Sequence, residues 1–161
     1  MNFSLWRGTL IFEHYEDNVM INILAVEQNQ QFASVIYHAL SDKSRYHLAV
    51  VESGYTALEA IEQKRFDLII IAKNLSYMDG YKTGTKIRER LGFEVSPFVI
   101  AANEFSRDEV EEFLSLGVFD FWEMPVSPQR IRLAADMVGE YWRSGKDNLA
   151  SYREFLDRNS K

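Results

Sequence analysis

The residues of this 161-residue chain whose types suit chemistry fall at the ends of short apolar runs. The stretch DLIIIAKNLSYMDGY (67–81) is the clearest case. Asp67 opens it, Leu68, Ile69, Ile70 and Ile71 follow, and Asp79-Gly80 closes it as a turn. In an α/β protein the residue just past such a run reaches the crevice at the sheet edge. Here that residue is Ala72, a methyl group that can be neither nucleophile, base nor ligand. Glu27, just past the run INILAV, offers one carboxylate of the kind that hard divalent cations take, but its neighbour Gln28 is a neutral amide. Lys73 and Glu123 are expected to border the same crevice and to pair with each other or with Glu27. His14, His38 and His47 are widely spread, with no partner at ligand or triad spacing, so they read as surface or half-buried residues. Cysteine is absent, which excludes disulfides, zinc-thiolate sites and thiol nucleophiles.

Composition narrows the function classes further. With 47% hydrophobic and 14% aromatic residues the chain can fill a core, so disorder is not expected. A net charge of −6 and the absence of any Lys/Arg run argue against a nucleic-acid-binding surface. No apolar run approaches the roughly 18 residues that cross a bilayer. The first 20 residues include Glu13, Glu16 and Asp17, unlike a secretory signal. A cytoplasmic protein without a membrane partner is the expectation.

The elements that must position these residues alternate regularly. INILAV, YHLAVV, FDLIIIA, PFVIAA and VFDFW read as five strands. Between them lie helices. The first carries Phe32, Val35, Ile36, Ala39 and Leu40 on one face. GYTALEAIEQ has Thr56 and Glu59 at capping-box spacing. Tyr81–Leu91 is a polar third helix. SRDEVEEFLSLG has a Ser106/Glu109 capping box and Gly117 as its stop. SPQRIRLAADMVGEYW has Ser127 as N-cap before Pro128. Apolar strands joined by helical crossovers imply an α/β fold, a doubly wound, flavodoxin-like five-stranded parallel sheet with five flanking helices. The organisation expected is an N-terminal extension over 1–20, a domain over 21–143 and a C-terminal helical extension over 144–161. The first segment, FSLWRGTLIFEHY, fits a strand or hairpin and fits equally an upstream start before a domain beginning at Met20. In the last, Leu149, Tyr152, Phe155 and Leu156 share a helical face that packs back on the domain or leads to an output domain.

The order of GYTALEAI, DLIII…MDGY, PFVIAA and GVFDFWEMP over roughly 21–142 resembles the CheY-like receiver domain of bacterial response regulators. That resemblance implies an acidic pair holding Mg²⁺ after the first strand, a phosphoacceptor aspartate after the third, a hydroxyl after the fourth and a Lys-Pro after the fifth. The matching positions are Glu27 and Gln28, Ala72, Ala102, and Met124 before Pro125. Four of these five have lost the group the chemistry needs, so the resemblance is to a degenerate pseudo-receiver. No catalytic residue, no metal site and no cofactor are expected. Phe121 matches the aromatic that turns in or out on activation, and with Ala102 beside it the ring is expected to hold one state. Ser76 stands in place of the proline usual in its loop, and modification there is a further reading. Asp79 and Gly80 keep the turn.

The function expected is a phosphorylation-independent regulatory module, not an enzyme, acting through a protein partner. The resemblance places contacts on the face of fourth helix, fifth strand and fifth helix, where Glu109 and Glu112 face Arg130 and Arg132 and where Phe121, Trp122 and Trp142 lie close. Opposite charges on neighbouring helices suit a homodimer. The alternative is a sensor of a small ligand or divalent ion in the degenerate crevice. A flavin carrier of the same fold is disfavoured, because EQNQQ after the first strand lacks the Ser/Thr/Gly character that cradles phosphate.

Overall fold

Five runs of the sequence are strands because both of their faces are covered. In the computed structural model, which describes residues 20–93 and 96–143 together with Glu154, Asp157 and Arg158, β1 (Ile21–Val26), β2 (Tyr46–Val51), β3 (Leu68–Ala72), β4 (Phe98–Ala102) and β5 (Val118–Glu123) form one parallel sheet in the order β2-β1-β3-β4-β5. Alternate residues of each strand feed opposite layers. Ile23, Ala25, Leu68, Ile70, Val99 and Ala101 pack beneath α1 (Gln30–Ala39) and α5 (Pro128–Arg143). Leu24, Val26, Ile69, Ile71, Phe98 and Ile100 pack beneath α2 (Gly54–Gln63), α3 (Gly80–Leu91) and α4 (Arg107–Leu114). Period-two alternation of polar and apolar residues is therefore missing from β3 and β4, whose every residue is buried. The flavodoxin-like fold expected from the sequence is the fold observed.

The strand order reverses between β1 and β3, and their carboxyl ends open a crevice at that point. Registers set its depth. Val26 pairs with Ile71, and Ala72 with Ala101, so Glu27, Ala72 and Ala101 arrive at one level, with Ala102 one residue beyond.

Helix ends follow local chemistry, with one correction. Asn29 caps α1, its Oδ1 accepting the N–H groups of Gln31 and Phe32 at 2.9 and 3.2 Å. Ser106 and Glu109 form the expected capping box on α4, and Gly117 takes φ +76° in the turn that ends this segment. Ser127 Oγ accepts the Arg130 N–H at 3.2 Å at the start of α5. In α2 the cap is Ser53, not Thr56. Ser53 is extended at φ −142°, its Oγ accepts the Thr56 N–H, and Thr56 Oγ1 accepts the Ser53 N–H, so the box closes one turn earlier and Glu59 has no part in it. Residues 1–19 and the apolar stripe Leu149, Tyr152, Phe155 and Leu156 lie outside the described residues, as does His14; His38 and His47 are exposed.

The β3–α3 loop carries two backbone constraints. A Cβ on Gly80 would fall inside contact distance of the Ala72 carbonyl oxygen and lie 2.9 Å from Lys73 Cα, so only glycine brings α3 this close to the end of β3. Tyr77 has φ +67° and is 95% exposed, a left-handed conformation that strains an L-residue by roughly 1–2 kcal/mol. Urea unfolding is therefore expected to show Gly80→Ala lowering stability by about 1–3 kcal/mol, because the obstructing atoms are backbone. Tyr77→Gly is expected to raise it by about 1 kcal/mol or less, after glycine's own entropic cost. A neutral Gly80→Ala would show that the loop yields freely.

Candidate functional site at the carboxyl edge of the sheet

The crevice holds one formal charge. Glu27 leaves the end of β1 and is only 7% exposed. Its Oε1 accepts the Asn29 N–H at 2.7 Å, which ties the carboxylate to the residue that caps α1. Burial pushes its carboxyl up from the ordinary 4.5, opposed in part by the backbone N–H groups of Asn29 and Gln28. Around it lie Ala72, Ala101, Ala102 and Met124, with Asn29, Asn74 and Asn103 nearby, enclosing a chamber of about 110 Å³. A second cavity of about 360 Å³ shares Asn29, Asn103 and Met124 with the first and runs between Phe32 and Val35 of α1 and Pro125 and Val126. The Met124–Pro125 peptide is cis.

Gln28 does not enter the chamber. Its Oε1 accepts the Ser76 N–H at 2.9 Å, joining the β1–α1 and β3–α3 loops. The expected pairings of Lys73 and Glu123 are corrected. Lys73 turns away from Glu27 and Glu123, donating to the Glu104 carbonyl at 2.7 Å and to both oxygens of Glu109 at 3.2 Å, with its ammonium 5.4 Å from the Phe105 ring centre. The reason is local: β3 ends beside β4, and the β4–α4 loop brings an unfilled carbonyl and the capping glutamate within reach of the lysine stem. Glu123 is exposed. The Ser106 N–H and the Lys73 ammonium hold the Glu109 carboxyl below its ordinary value.

This latch closes over a ring cluster. Phe121 packs edge-on against Phe105 with centres 5.2 Å apart, and Phe113 joins both Phe105 and Tyr81. Phe121 is half-buried on the layer beneath α4, in one inward position.

The residues expected on the face of α4, β5 and α5 meet different surroundings within the chain. Trp122 is 0% exposed and donates its indole N–H to Asp120 at 2.8 Å, so it is core. Trp142 lies at the opposite end of the sheet, half-buried, its indole donating to the Asp67 carbonyl at 3.3 Å and its ring covered by Arg65. Arg130 is bound within the chain to Asp120 and to the Phe121 carbonyl, both at 3.2 Å. Arg132 lies two residues on, roughly 200° round the helix, where it acts on Tyr46 beside Asp136. Glu109 is held by Lys73. Of this set Glu112 remains simply exposed on α4. Alternating apolar and charged letters did not distinguish these fates, because each depends on which neighbouring element the side chain meets.

The residues that sequence reasoning missed are Asn29, Asn74 and Asn103, the Lys73–Glu109 latch and the Phe105–Phe113 pair. Asn29 had a signal, an Asn immediately before a helical run; the latch had none, since 36 residues separate its partners.

The crevice does not suit a divalent cation. Glu27 is its one carboxylate, and among the described residues no group of three or more His, Cys, Asp or Glu gathers to hold a metal. Among them, too, no helix is long and apolar enough to cross a membrane.

Raised folded-state affinity for a proton means that Glu27 weakens the fold as pH rises through the interval from 4.5 to its higher folded value. Glu27→Gln keeps the acceptor for Asn29 and removes the buried charge. Thermal unfolding should show this variant more stable than the parent at pH 7, with the gain shrinking as pH falls to 4. An equal gain at both values would mean that the charge is not its source.

Comparison with known proteins agrees with this geometry. The model of the response regulator receiver domain family matches residues 23–136, more than half of the chain. The signal transduction histidine-protein kinase BarA of Escherichia coli (strain K12) is 24% identical over 125 residues, covering 78% of this chain and 14% of that kinase. A protein-glutamate methylesterase/protein-glutamine glutaminase of Syntrophus aciditrophicus (strain SB) is 34% identical over 94 residues, covering 58% of this chain and 26% of that protein. The chain thus spans a minor part of these curated relatives. The chemotaxis response regulator CheY4 of Vibrio cholerae superposes with a TM-score of 0.67 at 23% identity, over 74% of this chain and 99% of that one, which shows the shared fold. On the family match, the strand order and the position of the crevice, the chain belongs to the response regulator receiver domain family of two-component signalling.

Proposed function

We propose that this receiver domain signals without accepting a phosphoryl group, acts through protein contacts and is not an enzyme. One observation carries the reading. At the reversal point of the sheet, where a receiver needs a nucleophile, a hydroxyl and an ammonium, the chain presents Ala72, Ala102 and Met124. Gln28, at the second acidic position, is turned to a backbone N–H on the neighbouring loop. Aspartyl phosphorylation needs an oxygen nucleophile, a metal to neutralise the incoming charge and a cation on the phosphoryl oxygens. Ala72, Ala102 and Met124 supply no nucleophile and no cation, and the one carboxylate of Glu27 is too little for the metal.

The state of the domain is then set by packing. Lys73 is latched to Glu104 and Glu109, which holds the β4–α4 loop down over Phe105, and Phe105 holds Phe121 inward. The family resemblance implies a ring at Phe121 that turns in or out on activation, so a latch that holds this ring inward amounts to one fixed signalling surface. Degeneracy of the crevice and a locked Phe121 belong to the same reading. The partner is a regulatory protein met in the cytoplasm. A homodimer built on acid–arginine pairs loses Glu109 and Arg130 to contacts within the chain, while Glu112, Leu114 and Leu133 are exposed on those helices.

Incubation with Mg²⁺ and acetyl phosphate is expected to leave the intact mass unchanged, both for the parent chain and for Ala72→Asp, because the restored nucleophile still lacks its cations. An acyl phosphate on the parent chain would overturn the proposal. Lys73→Ala is expected to free the loop, seen as line broadening of the Phe105 and Phe121 resonances. Unchanged line widths would show that ring packing alone fixes the state.

A further inference from the structure

Glu27 and the two joined cavities form a binding site of definite chemistry. The carboxylate is more than nine-tenths buried, it borders the inner chamber, and among the described residues no ion pair forms on it. Lys73, which follows Ala72 at the end of β3, is engaged on Glu109. A buried anion without a counter-charge is unfavourable, so the chamber is complementary to a cation. The cation that fits is not a divalent metal, since one carboxylate cannot supply the charge or the near-octahedral oxygen array that Mg²⁺ requires.

The neighbouring groups define the alternative. An ammonium group has three N–H donors to place. Glu27 can accept one or two, and Asn74 and Asn103, both exposed and both bordering the chamber, carry amide oxygens for the rest. The outer slot is mostly apolar, with Phe32 and Val35 on one side and Pro125 and Val126 on the other, and its volume of about 360 Å³ lies at the small end of ligand pockets. Asn29, Asn103 and Met124 border both spaces, so a hydrocarbon chain in the slot can carry its head group into the chamber. We infer that the crevice binds a primary alkylammonium group, with the charged head on Glu27 and the alkyl body between α1 and the segment Pro125-Val126. The inference deepens the reading above, in that it needs a crevice free of a phosphoryl group, and it names the signal to which a phosphorylation-independent receiver would respond.

Amide NMR titration of the full chain tests it, with n-butylammonium, n-hexylammonium, hexanoate and Nα-acetyl-lysine amide as probes. Saturable shifts at Glu27, Ala72, Ala102 and Val126 are expected with the amines, hexylammonium binding about fourfold tighter per added methylene than butylammonium. Hexanoate should give none. Tighter binding of hexylammonium or of the lysine amide identifies the source as a free amine or as the side chain of a protein lysine. Glu27→Gln should weaken binding at least tenfold. Ala102→Leu, which leaves the charge and fills the chamber, should abolish the shifts. Absence of saturation with every amine, equal binding of hexanoate, or unchanged affinity in Glu27→Gln would overturn the inference. No probe contains phosphate, so such a failure leaves the acetyl phosphate result untouched, and an acyl phosphate would not alter the amine titration in unphosphorylated protein.

Discussion

A parallel sheet covered on both faces offers its chemistry at one edge. In this protein the helices on the two sides exclude water from β3 and β4 along their full length, so a polar side chain is tolerated only where a strand stops. The reversal of strand order between β1 and β3 makes one of those ends a crevice. What the domain places there is three alanines, a methionine, three asparagines and one glutamate that forms no ion pair among the described residues.

Charge economy links the crevice to the rest of the carboxyl edge. Met124 borders the chamber and fills space without adding a charge. Lys73 places its charge sideways, on a glutamate that already caps α4. One carboxylate thereby serves a helix end, a loop and a cation, and the loop in turn seats Phe105 against Phe121. The bond from Gln28 to the Ser76 N–H ties a second pair of loops in the same way. The edge is knit by these contacts between neighbouring loops.

Strand and helix positions were legible in the sequence because burial on two faces writes itself as uninterrupted runs such as LIIIA and FVIAA, and caps such as Ser106 and Ser127 act on their own first turn. The cap of α2 was misplaced by one turn because both Ser53 and Thr56 are competent, and only the extended backbone at Ser53 selects between them. Glu27, Gln28, Ala72, Ala102 and Met124 lie at the ends of β1, β3, β4 and β5, since their order along the chain fixes their strand ends.

What the sequence determined by itself is whatever depends on neighbours within a turn or a strand: the five alternating units, the apolar core and the presence of Ala72, Ala102 and Met124 at strand ends. Tertiary structure alone decided which charges meet. Lys73 finds Glu109, Arg130 finds Asp120, and Trp122 disappears into the core. The physical reason is range. Hydrogen bonding at a cap and burial of a run are local, whereas a long side chain chooses among partners delivered by strand order and helix rotation, which no stretch of sequence around it records.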